Sequence, residues 1–132
     1  GYMMESALES GLSAAGMGVV LTGPLPTPAV AFLNRTSDAA AGIMISASHN
    51  PYHDNGVKFF SSDGQKLSDE LEFKIETLLA DEIQTVESGV LGKARRHTQA
   101  ADDYVDYCLE QVGADLDLKD FTIVLDCAHG AD

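Results

Sequence analysis

The sequence has few basic residues and no long apolar stretch. Lys and Arg together number 8 against 21 Asp and Glu, which leaves a formal net charge of −13. Because proteins bind nucleic acids through Lys and Arg side chains, this balance argues against a nucleic-acid partner. It does not argue against a small phosphorylated ligand, since a local pocket can be positive on an acidic protein. No run approaches the roughly 20 apolar residues of a membrane span, so we expect no membrane partner.

Cysteine is also scarce, with 2 in 132 residues. Cys108 lies in a predicted helix and Cys127 ends a predicted buried strand, and neither has the spacing of a metal-ligand set. So few cysteines cannot form a disulfide framework. We therefore expect buried free thiols in a cytoplasmic protein.

Helix and strand patterns alternate along the chain, which predicts an α/β fold. Helical spacing and caps predict helices over residues 2–15 before Gly16, from a Thr27 cap with Pro28 in the first position, from Ser68 or Asp69, and over 100–112. Apolar runs predict buried strands over residues 18–22, 42–47, 56–61 and 121–126. Residues 88–96 show no regular pattern. The apolar face of the last helix is expected at Val105, Cys108, Leu109 and Val112.

These elements predict a mixed sheet layered with helices. The chain opens on a helix and ends just after the 121–126 strand, so both ends look cut and we expect a fragment of a larger protein. A strand missing before the first helix would leave an open sheet edge, which invites pairing with another chain. We therefore expect a homo-oligomer through that edge, or poor solubility.

A polar loop between the second and third predicted strands carries the candidate chemistry. Ser48, His49 and Asn50 follow directly after a strand, at the edge where open α/β sheets bind ligands. Lys58 interrupts the apolar residues of the next strand, so we expect its ammonium group to face the same space as the loop.

These residues permit either acyl transfer or phosphoryl transfer through Ser48. Acyl transfer needs a base oriented by a third group, and His49 is poorly placed because adjacent residues on an extended backbone point opposite ways. The G-x-S-x-G elbow of many hydrolases is absent from the sequence. Phosphoryl transfer needs mainly positioning, positive charge and a metal ion. The spacing favours phosphoryl transfer and leaves acyl transfer open.

The run I-S-A-S-H-N-P at residues 45–51, followed by D-N-G-V-K-F-F at 54–60, resembles the active-site serine loop of the α-D-phosphohexomutase superfamily. These flanks are most similar to the phosphoglucosamine mutase branch, because the phosphomannomutase/phosphoglucomutase branch more often has T-G-S-H-N-P. The runs at residues 1–8, 22–30 and 123–131 also resemble that branch, although His129 stands where an Asn is common. The resemblance covers nearly the whole chain and implies that residues 1–115 are an N-terminally incomplete first domain of a phosphohexomutase and residues 116–132 the start of its second domain.

The resemblance implies that Ser48 is a phosphoserine whose partner is a phosphorylated hexosamine. The parent enzyme would interconvert glucosamine 6-phosphate and glucosamine 1-phosphate through a 1,6-bisphosphate, feeding UDP-N-acetylglucosamine and cell-wall precursor synthesis. Lys58 would act as a general acid/base or stabilise charge, and His49 and Asn50 would shape the phosphate pocket. Mg²⁺ would be bound by the Ser48 phosphate and by aspartates of a D-G-D-G-D-R loop, which this sequence does not contain.

Several alternatives stay open at this point. Lys58 is also consistent with a strand-edge lysine whose head reaches solvent, and His49 with a structural wall of the loop. Ser46 is a second hydroxyl in the motif, read here as a strand residue. The prolines at positions 24, 26 and 28 have two interpretations: they only stiffen a turn, or they form a loop that lies near Ser48. The alternative functions are another phosphohexomutase and a noncatalytic α/β binding module. Without the missing loops we expect the segment alone to have no mutase activity.

Overall fold

The computed structural model describes residues 1–51, 53–113, 115–127 and 130, and it confirms the α/β class. Its elements, in chain order, are α1 (Tyr2–Ala14), β1 (Val19–Leu21), α2 (Thr27–Thr36), β2 (Ala41–Ser46), β3 (Gly56–Ser61), α3 (Asp69–Leu78), a 3-10 turn at Ser88–Val90, β4 (Ala94–Arg96) and α4 (Ala100–Val112). Among the described helices, none combines the length and the apolar character that crossing a bilayer requires.

The end of α1 is set by a glycine, as the sequence predicts. Gly16 has a φ of 83°, in the left-handed region that glycine adopts without steric cost. The amide of Gly16 donates to the Ser13 carbonyl over 3.0 Å, and the amide of Met17 donates to the Leu12 carbonyl over 2.9 Å. These bonds satisfy carbonyls at the helix end and turn the chain into β1.

The proline-rich loop sets the start of α2, one residue earlier than predicted. Pro26 is the N-cap, with φ −65° and ψ 150°, and Thr27 is the first helical residue. The predicted Thr27 cap is therefore wrong, and no side chain caps this helix end. Proline suits the position because its ring fixes φ, and Pro28 in the first turn removes an amide that would have no helical partner.

The strands β2 and β3 form an antiparallel pair that holds the polar loop at one end. Ser46 pairs with Gly56 beside the loop, and Ala41 pairs with Ser61 at the far end. Because directly opposed residues share a face, Ser46, Met44 and Lys58 lie on one side of the pair.

The helix α2 packs on this hairpin through a buried amide. Asn34 is 5% exposed, and its Nδ2 donates to the carbonyl of Ser61. A Cβ at Gly42 would lie 3.2 Å from the Cβ of Asn34, so glycine leaves the room that the Asn34 side chain occupies. This contact fixes the hairpin, and with it the loop, against α2.

The strands β1 and β4 form a parallel pair that the sequence did not predict. Val19 lies opposite Ala94 and Leu21 opposite Arg96, although residues 88–96 were expected to be irregular. All three residues of β4 are exposed, so its sequence lacks the apolar alternation from which a half-buried strand is predicted. In the part of the chain described here, both pairings of a mixed sheet are therefore present, as separate two-stranded sheets.

The small core lies between the proline-rich loop, α2 and α4. Leu25, Ala29 and Ala100 are buried there, with Val30, Leu33 and Tyr104 packed around them.

The face of α4 that packs differs from the predicted one. The ring of Tyr107 stacks on Phe32 of α2 with a centroid separation of 4.2 Å, and Cys108 is half-buried. Val105, Leu109 and Val112 are exposed. The prediction is wrong because α4 has apolar groups on two sides, and stacking on Phe32 selects the tyrosine side.

Residues 121–126 form no strand, which corrects another prediction. Phe121 and Val124 are exposed, and so is Cys127, which was expected to be buried. A buried strand needs neighbours to take its amide and carbonyl groups, and none of the described strands pairs with this segment.

The start of α3 is predicted correctly, but its apolar face is not buried. The Oγ of Ser68 accepts the Leu71 amide over 3.4 Å and caps the helix. Leu78 and Leu79 are largely exposed, because the described elements leave no surface that covers them.

Candidate functional site

Ser48 lies in a tight turn just beyond the end of β2. The amide of Asn50 donates to the Ala47 carbonyl over 2.9 Å, which closes the turn over residues 47–50. Ser48 has a φ of 54° and is the one non-glycine residue among those described with a positive φ. Such a value at the second turn position is typical of the primed turns, which are usually filled by glycine or asparagine.

The side chains of this turn are open to solvent. Ser48, His49 and Asn50 are all exposed, while Ser46 and Ala47 before them are half-buried. The structure thus brings together the three loop residues that the sequence singled out. It presents the Ser48 hydroxyl to a ligand that approaches from outside.

A contact within the motif, absent from the sequence predictions, stabilises the turn. The amide of Ser48 donates to the Oγ of Ser46 over 2.9 Å. A serine two residues before a turn position is a recognisable signal for such a bond, since short hydroxyl side chains reach nearby backbone amides.

The remainder of the loop turns again before β3 begins. The amide of Asp54 donates to the Pro51 carbonyl over 2.9 Å. His53 Nε2 lies 4.0 Å from Asp54 Oδ1, a separation that makes an ion pair only when the imidazole is protonated. Tyr52 of the motif and His129 near the end of the chain lie outside the described residues.

Lys58 lies on β3, on the same face as Ser46. It pairs with Met44, and its Cα is roughly 7 Å along the strand from Gly56 at the base of the loop. Its side chain is exposed and can reach from there toward the loop. The register is compatible with the prediction that Lys58 serves the Ser48 site, although no described hydrogen bond joins the two side chains.

The turn lacks the arrangement that acyl transfer would require. No described hydrogen bond links Ser48 to His49, and the two residues follow each other in a turn rather than facing across it. A hydrolase serine needs a base within hydrogen-bonding reach and a third group that orients the base. The described turn therefore gives no support to acyl transfer through a Ser48–His49 pair, whereas phosphoryl transfer requires no such pair.

The described residues do not form a cation site by themselves. No group of three or more His, Cys, Asp or Glu residues in the described ranges could hold a metal ion. Mg²⁺ binds through carboxylate and phosphate oxygens together with water. A phosphate on Ser48 would be one such ligand, and this part of the chain supplies no set of carboxylates around it.

A separate polar cluster lies at the opposite end of the hairpin. The Oγ of Ser61 donates to the Asp63 carboxylate over 2.5 Å, and the Gln65 amide donates to the same oxygen over 3.3 Å. These bonds favour the ionised form and hold the pKa of Asp63 below its usual range. This cluster stabilises the turn after β3 and has no part in the serine loop.

Comparison with known families identifies the chain. Residues 1–86 match the family model described as phosphoglucomutase/phosphomannomutase, alpha/beta/alpha domain I. The chain belongs to this family. The match includes the whole of the serine loop, so the resemblance of the I-S-A-S-H-N-P run to the phosphohexomutases is confirmed.

Relatives of this family are similar over nearly the whole chain. Phosphoglucosamine mutase 1 of Shewanella frigidimarina is 60% identical over 131 residues, which is 99% of this chain and 29% of the relative. The phosphoglucosamine mutases of Vibrio campbellii and Haemophilus ducreyi are 58% and 59% identical over the same share of this chain. The chain thus spans about 29% of the length of the first of these mutases.

Proposed function

We propose that this chain is a segment of a phosphoglucosamine mutase in which Ser48 carries the transferred phosphoryl group. The observation that carries the proposal is the exposed Ser48 in a left-handed turn at the end of β2, within a family motif. The choice of glucosamine is supported by relatives of that name at 58–60% identity.

The reaction transfers one phosphoryl group from Ser48 to the sugar and a second one from the sugar back to Ser48. The bond from phosphorus to the Ser48 oxygen breaks as a bond forms to the C1 hydroxyl oxygen of glucosamine 6-phosphate. The proton of that hydroxyl passes to the Ser48 oxygen, and the product is a 1,6-bisphosphate. The bond from phosphorus to the C6 oxygen then breaks as the Ser48 oxygen bonds that phosphorus. The Ser48 proton passes to the C6 oxygen, which releases glucosamine 1-phosphate and restores the phosphoserine.

The other loop residues have supporting roles. Lys58, on the face that Ser46 shares, acts as the general acid/base or stabilises the charge of the phosphoryl group. His49 and Asn50 leave the same turn as Ser48 and offer hydrogen bonds to a phosphate there. A phosphoserine carries about −1.5 to −2 charges near neutral pH, so it needs such donors.

Mg²⁺ completes the site in this proposal. When bound, it would neutralise phosphate charge, which is the main demand of phosphoryl transfer. The Ser48 phosphate is the ligand that this chain offers, and the carboxylate ligands come from parts of the protein beyond these 132 residues. For the same reason we propose that this segment by itself has no mutase activity.

Intact mass spectrometry of the full-length protein tests the phosphoserine. We expect an additional mass of about 80 Da that maps to Ser48 and is lost in S48A but kept in S62A, a control at an exposed turn serine. Mass on another residue, or none after incubation with a hexose 1,6-bisphosphate, would contradict the proposal. It would favour the alternative of a noncatalytic α/β binding module.

A substrate panel tests the sugar. The full-length protein should convert glucosamine 6-phosphate with Mg²⁺ at least tenfold more efficiently than glucose or mannose phosphates. A reversed preference would support the alternative that the broad family description allows, a phosphoglucomutase or phosphomannomutase. The 132-residue chain, assayed alongside, should show no turnover.

The remaining proposals concern the whole protein. We propose that residues 1–115 belong to its first domain and that residues 116–132 begin the second. We also propose that the protein is cytoplasmic and that its product feeds UDP-N-acetylglucosamine synthesis.

The 132-residue chain by itself should self-associate through its short, open sheets. Sedimentation velocity checks this, and a concentration-independent monomer would contradict it.

A further inference from the structure

Ser48 holds a backbone conformation that its residue type disfavours. Its φ of 54° lies in the left-handed region, where the Cβ atom crowds the following carbonyl. Glycine and asparagine adopt this region more readily than serine does. A serine persists there only when surrounding contacts hold it, and such positions cluster at functional sites.

Two hydrogen bonds act on this conformation. The bond from the Asn50 amide to the Ala47 carbonyl is an ordinary turn bond that other sequences can make. The bond from the Ser48 amide to the Oγ of Ser46, at 2.9 Å, requires a short hydroxyl side chain two residues earlier. Ser46 is itself well fixed, because it ends β2 and pairs with Gly56.

We propose that Ser46 is a positioning residue for phosphoryl transfer at Ser48, an inference that rests on the proposed function. Its hydroxyl ties the Ser48 backbone to the last residue of β2. That tie fixes the direction in which the Cβ and Oγ of Ser48 leave the turn. A displacement of about 1 Å in a reacting group can cost about a hundredfold in rate.

The same contact distinguishes Ser46 from a second phosphoacceptor. Its side chain is half-buried and its oxygen accepts the Ser48 amide, whereas Ser48 is exposed. A phosphoryl group on the Ser46 oxygen would crowd the bond that holds the turn. The two serines of the motif therefore have different roles, one as carrier and the other as support.

The first test measures the conformation of Ser48 by NMR in the full-length protein with isotope labels on serine. The three-bond coupling between its amide proton and its Cβ reports φ, and its amide exchange rate reports the hydrogen bond. In S46A we expect a shifted coupling and an exchange rate about two- to tenfold faster. S46T keeps the hydroxyl and should match the wild type, as should S62A. Unchanged coupling and exchange in S46A would overturn the proposal.

The second test uses the full-length protein with a hexose 1,6-bisphosphate as the phosphoryl donor. The rate of mass gain at Ser48 should fall about ten- to a hundredfold in S46A. The KM for the hexose 1,6-bisphosphate should stay within about twofold of the wild-type value. S46T should recover to within about threefold. S46A at the wild-type rate, or S46T as slow as S46A, would overturn the proposal.

The S48A variant separates this inference from the function beneath it. If S48A still gains the phosphoryl mass, the proposed function fails and the catalytic part of the inference fails with it. If S48A gains none while S46A and the wild type are charged equally fast, the function stands and the positioning role of Ser46 is refuted.

Discussion

The buried amide of Asn34 offers the sharpest test of how the serine hairpin is held. Its Nδ2 donates to the Ser61 carbonyl, and its Oδ1 is buried with no hydrogen-bond partner among the described residues. The Ser61 carbonyl also accepts the Gly64 amide over 2.8 Å, so it stays paired when Asn34 is removed. The cost of N34A is therefore that of one lost hydrogen bond and some packing, not of an orphaned carbonyl.

The magnitude follows from these contacts. A lost hydrogen bond of this kind costs about 0.5–1.5 kcal/mol net, and the lost packing against Gly42 adds to it. Removal of the unpaired Oδ1 offsets part of the loss. We expect N34A to lower the free energy of unfolding by about 1–2 kcal/mol. T36A, on the exposed side of the same helix, should change it by less than about 0.5 kcal/mol.

The substitution N34D adds a dependence on pH. It keeps the shape but replaces the donor by a carboxyl group buried against the Ser61 carbonyl, which raises the pKa of that carboxyl in the folded state. Below about pH 4 both states are protonated and no ionisation penalty applies. As pH rises from there to the raised folded pKa, stability falls, by about 2.7 kcal/mol for a shift of about two units.

Urea unfolding of this chain, followed by far-ultraviolet circular dichroism, measures these differences. The gap between N34D and the wild type should be small at pH 4 and should widen by pH 7. An equal gap at both pH values would refute the argument that the site is desolvated. N34A as stable as T36A would refute the anchoring role of the amide.

Three further predictions concern the backbone and the surface of the chain. G92A should lower the free energy of unfolding in urea by at least about 2 kcal/mol, because a Cβ at that position would overlap a backbone carbonyl. The control G89A, which has open space around the added methyl group, should change that free energy by less than about 0.5 kcal/mol. In S61A the pKa of Asp63 should rise toward its ordinary value, which NMR titration of the carboxyl group measures. The stabilisation from the Ser61 bond is present above about pH 4 and is lost as pH falls through the folded pKa. An Asp63 pKa that does not move in S61A would contradict this assignment. G11A should raise the melting temperature by a few degrees, since α1 is a helix with room for a methyl group at that position, and a lower value would count against it.

Local patterns were enough to predict most elements and to single out the polar residues of the loop. Helix ends depend on nearby residues, as at Gly16 and Ser68, so those boundaries agree with the structure. The candidate residues Ser48, His49 and Asn50 were likewise identified from a short motif, and the family match confirms the origin of that motif.

The predictions that failed depend on which surfaces meet. The helix α4 has apolar residues on two sides, and only the stacking of Tyr107 on Phe32 selects the buried one. The strand β4 has no apolar signal, and it exists because β1 provides its hydrogen-bond partner. Residues 121–126 have the composition of a buried strand but meet no neighbouring strand within the described ranges.

The sequence by itself determined the family, the positions of most helices and strands, and the choice of Ser48 as the candidate phosphoryl carrier, because these follow from residue types at short range. Only the tertiary structure decided the backbone of that serine. Its left-handed turn depends on the hydroxyl of Ser46, and Ser46 is fixed because β2 pairs with β3 and packs on Asn34. Contacts between residues far apart in the chain therefore set the geometry of a motif that is itself local.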